Sequence, residues 1–197
     1  MDLSSFPSEP WDLHGHGLVT VGLLPAAGLT APPGTRLVTL RGRAVVGAVL
    51  LRYTAPSPLT YHEIMAAVVV RRGLRFFVHI PDIWVDSPAS RAGGRSLWAI
   101  PKELAEFEDQ GLTAVGIAAA SLRRIRGTLK APARFRVAQE RDERTLVTPV
   151  RGAASVSPAR VTWTFDTDGP LAHLRHLRPL AHVVIRRFHL VFGPAER

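Results

Sequence analysis

Asp86-Ser87-Pro88-Ala89-Ser90-Arg91-Ala92-Gly93-Gly94-Arg95-Ser96-Leu97-Trp98-Ala99-Ile100-Pro101-Lys102-Glu103-Leu104 is the stretch on which the reading of this chain turns. Ser87 followed by Pro88 is a helix start, because the serine hydroxyl can accept from an orphan backbone N–H and proline fits the first helical turn. The expected helix is short, Ser87 to Ala92, and Gly93-Gly94-Arg95 reads as a turn behind it. An apolar segment then leads to Pro101, which restricts the backbone just ahead of Lys102. The lysine stands out against the composition: of 25 lysines and arginines in 197 residues, only Lys102 and Lys130 are lysines. Arginine stays charged at ordinary pH, whereas a desolvated lysine can lose its proton and attack a carbonyl. A lysine behind an apolar run is therefore a candidate for amine chemistry.

Outward from this stretch, short apolar runs bounded by glycine and proline recur in both directions. Leu18 to Leu24, Leu37 to Leu40, Ala44 to Tyr53, Glu63 to Val70 and Leu74 to Ile80 precede it; Leu112 to Ala118, Phe135 to Gln139, Thr145 to Val150, Arg160 to Phe165 and His182 to Phe192 follow. Their length and β-branched content predict strands, and the breaks between them carry turn residues, as in Ala31-Pro32-Pro33-Gly34 and Asp166-Thr167-Asp168-Gly169-Pro170. So many strands with so little helix predict a mainly β protein, a barrel or a sandwich with a few short helices. Residues 1–197 read as one domain, the first dozen as a loosely ordered arm.

The acidic-Ser-Pro-Ala start at Asp86, the Gly94-Arg95 pair, the aromatic Trp98 and Pro101-Lys102-Glu103-Leu104 resemble, in order and spacing, the segment around the Schiff-base lysine of the acetoacetate decarboxylase family. Tyr61-His62-Glu63 is similar to that family's Tyr-x-Glu and keeps its distance from the lysine. The resemblance extends from about Thr60 to Leu104 and, more weakly, over Trp11 to Leu24. It implies an antiparallel β-barrel with small helices and a lysine in an interior cavity. Lys102 then falls on the imine-forming lysine and Glu63 on an active-site glutamate, with Tyr61 and Trp98 beside the substrate. Arg95 could bind a substrate carboxylate or pair with a structural acid. The stretch Trp11-Asp12-Leu13-His14-Gly15-His16 sets His16 where the family has an arginine, a further group for a carboxylate.

Three departures from the family bear on the chemistry. Glu103 stands in place of a second lysine, so the cation that would depress the Lys102 amine is missing, and burial alone is expected to lower it. If the segment is extended, Glu103 and Lys102 face opposite ways. Reading back from Glu63 without a gap places Ala48 at a second active-site glutamate. The implied function is that of a lyase forming a Schiff base with a small oxo acid, for decarboxylation or for related aldol or dehydration chemistry. The family tends to form homo-oligomers, and no cofactor is implied. The alternative is a catalytically silent binding protein of the same fold that keeps the cavity for an apolar carbonyl ligand.

Composition narrows the remaining classes. Hydrophobic residues at 46% and charged residues at 21% describe a folded globular chain. The absence of cysteine excludes disulfides, iron–sulfur clusters and thiolate zinc sites. No secretory leader pattern or membrane span is read, so the cytoplasm is the expected location. The formal charge of +9 would suit a polyanion, but the densest basic patch, Arg123, Arg124, Arg126, Lys130, Arg134 and Arg136, alternates with apolar residues and carries no nucleic-acid recognition motif. No metal is expected: His173-Leu174-Arg175-His176 with His182, and His14-Gly15-His16, lack a defined ligand set.

Overall fold

Strands whose two faces are both apolar read in sequence as continuous hydrophobic runs, and each face must find its own cover. The computed structural model, which describes residues 5–124 and 127–196, shows how this chain does so. Arg126 of the basic patch and residues 1–4 of the arm lie outside the described residues. Along the chain come β1 (Trp11–Pro25), β2 (Arg36–Leu37), β3 (Thr39–Leu40), β4 (Arg43–Tyr53), β5 (Tyr61–Arg72) and β6 (Arg75–Val85). Helix α1 (Pro88–Trp98) follows, then β7 (Lys102–Leu104), β8 (Phe107–Glu108), β9 (Thr113–Ala114), β10 (Ala118–Arg124), β11 (Leu129–Arg141), β12 (Arg144–Phe165) and β13 (Arg178–Phe192). The mainly β class expected from the sequence is the class observed.

Neighbouring strands pair in the order β11-β6-β5-β4-β1-β13-β12, and β12 pairs again with β11, so the pairings run in a ring. Every contact in it is antiparallel except β6 to β11, a parallel seam recorded as the single pair Val78 and Val137. Side chains supplement this seam. Gln139 Nε2 donates to the Ile80 carbonyl at 2.8 Å, while Gln139 Oε1 accepts from the Ile80 N–H at 3.3 Å and from His79 Nδ1 at 2.5 Å. Gln139 is 1% exposed, and each of these buried polar groups would be costly without its partner.

One face of β1, β4 and β5 packs outward through Leu18, Val46, Ala48, Leu50, Ile64 and Val68. Ile117 and Ala120, Val161 and Phe165 from the end of β12, and Leu171 and Leu174 around a 3₁₀ turn cover it. The opposite face looks into the ring. The runs Thr145 to Val150 and Arg160 to Phe165 belong to one strand, β12, whose first part pairs with β11 and β13 and whose last part pairs with β10. The N-terminal arm is held before the first strand begins: the Pro7 carbonyl accepts from Trp11 Nε1 at 2.9 Å, and Glu9 Oε2 accepts from Trp98 Nε1 at 2.9 Å and from the Ala195 N–H at 3.0 Å.

Candidate active site

Ser87 caps α1 as its sequence implies, its hydroxyl accepting from the Ser90 N–H at 3.1 Å. The helix does not stop at Ala92, however, but runs through both glycines to Trp98. The reason is close approach and not a turn: a Cβ on Gly93 would lie 2.6 Å from the Trp11 ring, and one on Gly94 would lie 2.7 Å from Lys102 Cδ. Ala99, in the left-handed region at φ 54°, ends the helix with its N–H bonded to helix carbonyls. The chain then turns so that β7 adds in parallel to β6, with Lys102 beside Ile83.

In β7 Lys102 points inward and is 3% exposed, whereas Glu103 points out. Arg95 pairs with Glu103, and its Nε donates to the Lys102 carbonyl at 2.7 Å. Arg95 thus bonds the backbone that carries the lysine and pairs with an acid on the outer side. It does not line the cavity. Inside, Lys102 Nζ donates to Glu63 Oε2 at 2.7 Å, to Ser90 Oγ at 3.0 Å and to Tyr61 OH at 3.4 Å. Tyr53 donates to the other Glu63 oxygen at 2.9 Å, and the Tyr53 and Tyr61 rings stack with centroids 4.3 Å apart.

These contacts set the charge state. Burial pulls the Lys102 amine down, but the Glu63 carboxylate and the Tyr61 phenol push it up, and the net shift is upward. The expectation of an amine depressed by burial is therefore overturned, because it omitted an opposite charge in hydrogen-bond contact. Burial, together with Glu63, raises the phenols of Tyr53 and Tyr61, so both remain protonated. Trp98 and Ile100, buried and lining the same cavity, contribute to that burial, whereas Leu104 is 44% exposed.

The amine opens on a cavity of about 370 Å³ within the ring, lined by inward residues of β1, β4, β5, β6, β11, β12 and β13. Tyr61, Glu63, Trp98 and Lys102 all border it. His16 does not: β1 turns Trp11, Leu13, Val19 and Val21 inward, and His16 is exposed on the other face, opposite Arg52. Partial burial of its ring, with Arg52 and His62 nearby, lowers its pKa. Ala48 likewise faces the outer core, between Thr20 and Ala66, while Gly47 and Val49 face the cavity. Ala48 thus stands on the face turned away from the cavity, since alternate residues of a strand point to opposite faces.

Two polar members of the site went unread in the sequence. Ser90 had a signal, since Ser90, Gly94 and Trp98 recur every four residues and so share one helix face. Tyr53 had none, because its place beside Glu63 depends on the register that sets it opposite Tyr61. The histidines otherwise scatter: His173 lies 3.9 Å from Asp82, while His182 bonds Thr20 at 2.8 Å. Outside the ring Asp12, His14 and His189 bring donor atoms within 4.8 Å of one another, with His189 Nε2 2.6 Å from Asp12 Oδ1. Lys130, the other lysine, is exposed on β11.

Fold and site together define a mainly β protein with an ion-paired lysine and glutamate buried at one end of an interior cavity. Residues 23–187 match the family model described as acetoacetate decarboxylase, and the chain belongs to that family. It is similar in structure to acetoacetate decarboxylase from Legionella pneumophila, with a TM-score of 0.64, 16% identity, and coverage of 98% of this chain and 89% of that one. The enduracididine biosynthesis enzyme MppR complexed with pyruvate gives a TM-score of 0.62 at 14% identity, covering 97% of this chain and 91% of that one. An acetoacetate decarboxylase-like enzyme from Sphingomonas wittichii RW1 gives 0.56 at 15% identity, over 100% and 96% of the two chains. At these identities the structural likenesses carry the fold alone. Among curated protein sequences there is no match. No helix among the described residues is long and apolar enough to cross a membrane.

Proposed function

We propose that the protein is a Schiff-base-forming lyase in which Lys102 condenses with the carbonyl of an oxo compound. The observation that carries this reading is the buried Lys102 amine 2.7 Å from Glu63 Oε2 at the end of an apolar cavity. At rest the pair is ammonium and carboxylate. Entry of an apolar-bodied carbonyl compound removes water and disfavours both charges, so the proton shared between Nζ and Oε2 moves to Glu63. The neutral amine adds to the carbonyl carbon, one amine proton and the proton on Glu63 pass to the departing oxygen, and water leaves as the iminium forms. The iminium draws electrons from adjacent bonds, which serves decarboxylation, aldol cleavage or dehydration. Protonated Tyr53 steadies the Glu63 carboxylate from its far side, and Ser90 and Tyr61 hold the amine in place. A small oxo acid, the substrate type implied by the sequence resemblance, is the first class to test. A cytoplasmic location, expected from the sequence pattern, and self-association, carried over from the family, belong to the same proposal, and sedimentation tests the second.

Borohydride reduction in the presence of pyruvate, acetoacetate or a simple ketone tests the reading. A reduced adduct is expected on the peptide containing Lys102, and Lys102→Arg should abolish it while leaving the circular dichroism spectrum unchanged. Labelling that persists in that variant overturns the assignment. A second reading, a binding protein that keeps the cavity without turnover, draws on the raised pKa of Lys102, which favours the unreactive ammonium at rest. Absence of an adduct with every carbonyl compound, alongside measurable binding, selects it.

A further inference from the structure

Among the described residues two charged side chains face the cavity, Lys102 and Glu63, and they neutralise each other at 2.7 Å. A substrate carboxylate would leave this enclosure with a net negative charge. Imine formation does not relieve it, since the iminium carries the same single positive charge as the ammonium. Burying an unpaired charge in apolar surroundings costs several kcal/mol. Arg95 and His16, the groups that could have met a carboxylate, both lie outside the cavity. An uncharged carbonyl compound incurs no such penalty.

The shape of the cavity points the same way. The inward residues of β5 run from Glu63 through Met65 and Ala67 to Val69, about 20 Å at a strand's rise of about 3.3 Å per residue. Val45 and Val49 of the neighbouring β4, and Val19 and Val21 of β1 beyond it, continue this wall. Partway along, Gly47 stands opposite Ala67 on one side and Val21 on the other, so the smallest side chains meet where the lumen must stay open. A volume of about 370 Å³ holds on the order of a dozen water-sized groups at about 30 Å³ each, more than a small oxo acid fills. The polar groups cluster at the Lys102 end, and beyond them the wall is apolar.

We propose, resting on the reading that Lys102 forms an imine, that the substrate is an uncharged ketone or aldehyde with an extended apolar chain. Its carbonyl meets Lys102 and its chain runs along the valine wall toward Gly47 and Ala67. With no carboxylate to lose, the iminium gives up an α-proton to Glu63, and the electron pair of that C–H bond moves through carbon toward nitrogen to form an enamine. The enamine carbon then adds to a second carbonyl compound, whose oxygen takes the proton back from Glu63. Water hydrolyses the iminium to release the hydroxy ketone or aldehyde and free Lys102; the same steps in reverse cleave that bond. This reaction is carbon–carbon bond formation or cleavage of the aldol type and not decarboxylation.

The test is borohydride trapping, read by intact mass, with methyl ketones of increasing chain length and 2-oxo acids of equal carbon number. Each added methylene should raise trapping at limiting ketone about fourfold, the equivalent of about 0.8 kcal/mol per buried CH₂, until the lumen is full. Gly47→Leu should flatten that dependence. The atoms nearest a Cβ there would be Val49 Cγ2 at 3.6 Å and Ala67 atoms at 3.9 Å, ordinary contact distances, so the added side chain has room to enter the lumen. Ala67→Leu is the second variant if the first does not fold. Trapping that is flat with chain length, or stronger for the acids than for ketones of equal length, overturns this inference and leaves the imine at Lys102 standing. Absence of any adduct overturns both.

Discussion

Burial and ion pairing act on the Lys102 amine in opposite directions, and the pairing prevails. The amine and the Glu63 carboxylate are both nearly inaccessible to solvent, so neither is screened by water, and the charged pair is held by Tyr53, Tyr61 and Ser90. The sign of a substitution follows. In Glu63→Gln the opposing carboxylate is gone while burial remains, so the amine pKa falls. The pH midpoint for acylation or reductive trapping at Lys102 should therefore move downward, while the maximal trapping rate drops because the proton acceptor is lost. A midpoint that stays in place or rises would mean that Glu63 does not hold the ammonium. In the intact protein the raised pKa makes the ammonium's contribution to stability present at neutral pH. That contribution is lost as pH rises through the folded value, above the ordinary lysine range.

Helix α1 shows packing overriding local propensity. Two adjacent glycines in a helix cost about 1 kcal/mol each relative to alanine, so an isolated helix would gain from their replacement. Here Gly93 faces Trp11 and Gly94 faces the Lys102 side chain, at distances no Cβ could occupy. Trp11 is held edge-on against Trp98 at 4.8 Å, and the lysine end by three hydrogen-bond partners, so neither yields easily. Overpacking of this kind typically costs about 1–3 kcal/mol, more than the propensity gain. Gly94→Ala should thus lower the urea midpoint and also slow trapping at Lys102, because the clash displaces the amine. Gly93→Ala should lower stability with a smaller effect on trapping, its clash falling on Trp11. Increased stability in either variant would show that the helix can move away from the ring.

At the scale of the whole molecule, the ring depends on the seam where β6 meets β11 in parallel through one residue pair. Gln139 bonds the Ile80 N–H, the Ile80 carbonyl and His79 across that seam. Gln139→Leu would leave the Ile80 N–H and carbonyl buried without this partner, at about 1–3 kcal/mol for each group left without a bond, while His79 Nδ1 keeps the Ala138 carbonyl at 3.2 Å. A fall in stability of several kcal/mol is expected by denaturant unfolding, larger than a leucine of similar volume would cause at an apolar position. A change below about 0.5 kcal/mol, the range of an ordinary surface substitution, would show that the seam does not depend on this side chain.

What the sequence determined by itself is local. The Ser87 cap and Pro88, the restriction by Pro101 and the pleat that sends Lys102 and Glu103 to opposite faces all act between near neighbours, and the apolar runs suffice for a mainly β protein. The family likeness adds Glu63 to the same active site as Lys102. Tertiary structure decided the rest, because strands apolar on both faces do not announce which face looks inward. That choice set Gly47 and Val49 in the cavity and Ala48 in the outer core, and left His16 outside. It also decided the charge of the lysine, since Glu63 and Tyr61 reach it from β5 and Tyr53 steadies the Glu63 carboxylate from β4, contacts fixed by register and by the approach of α1. Burial of the lysine could be anticipated along the chain, but its partners belong to other strands, and distances between strands are a property of the packed whole.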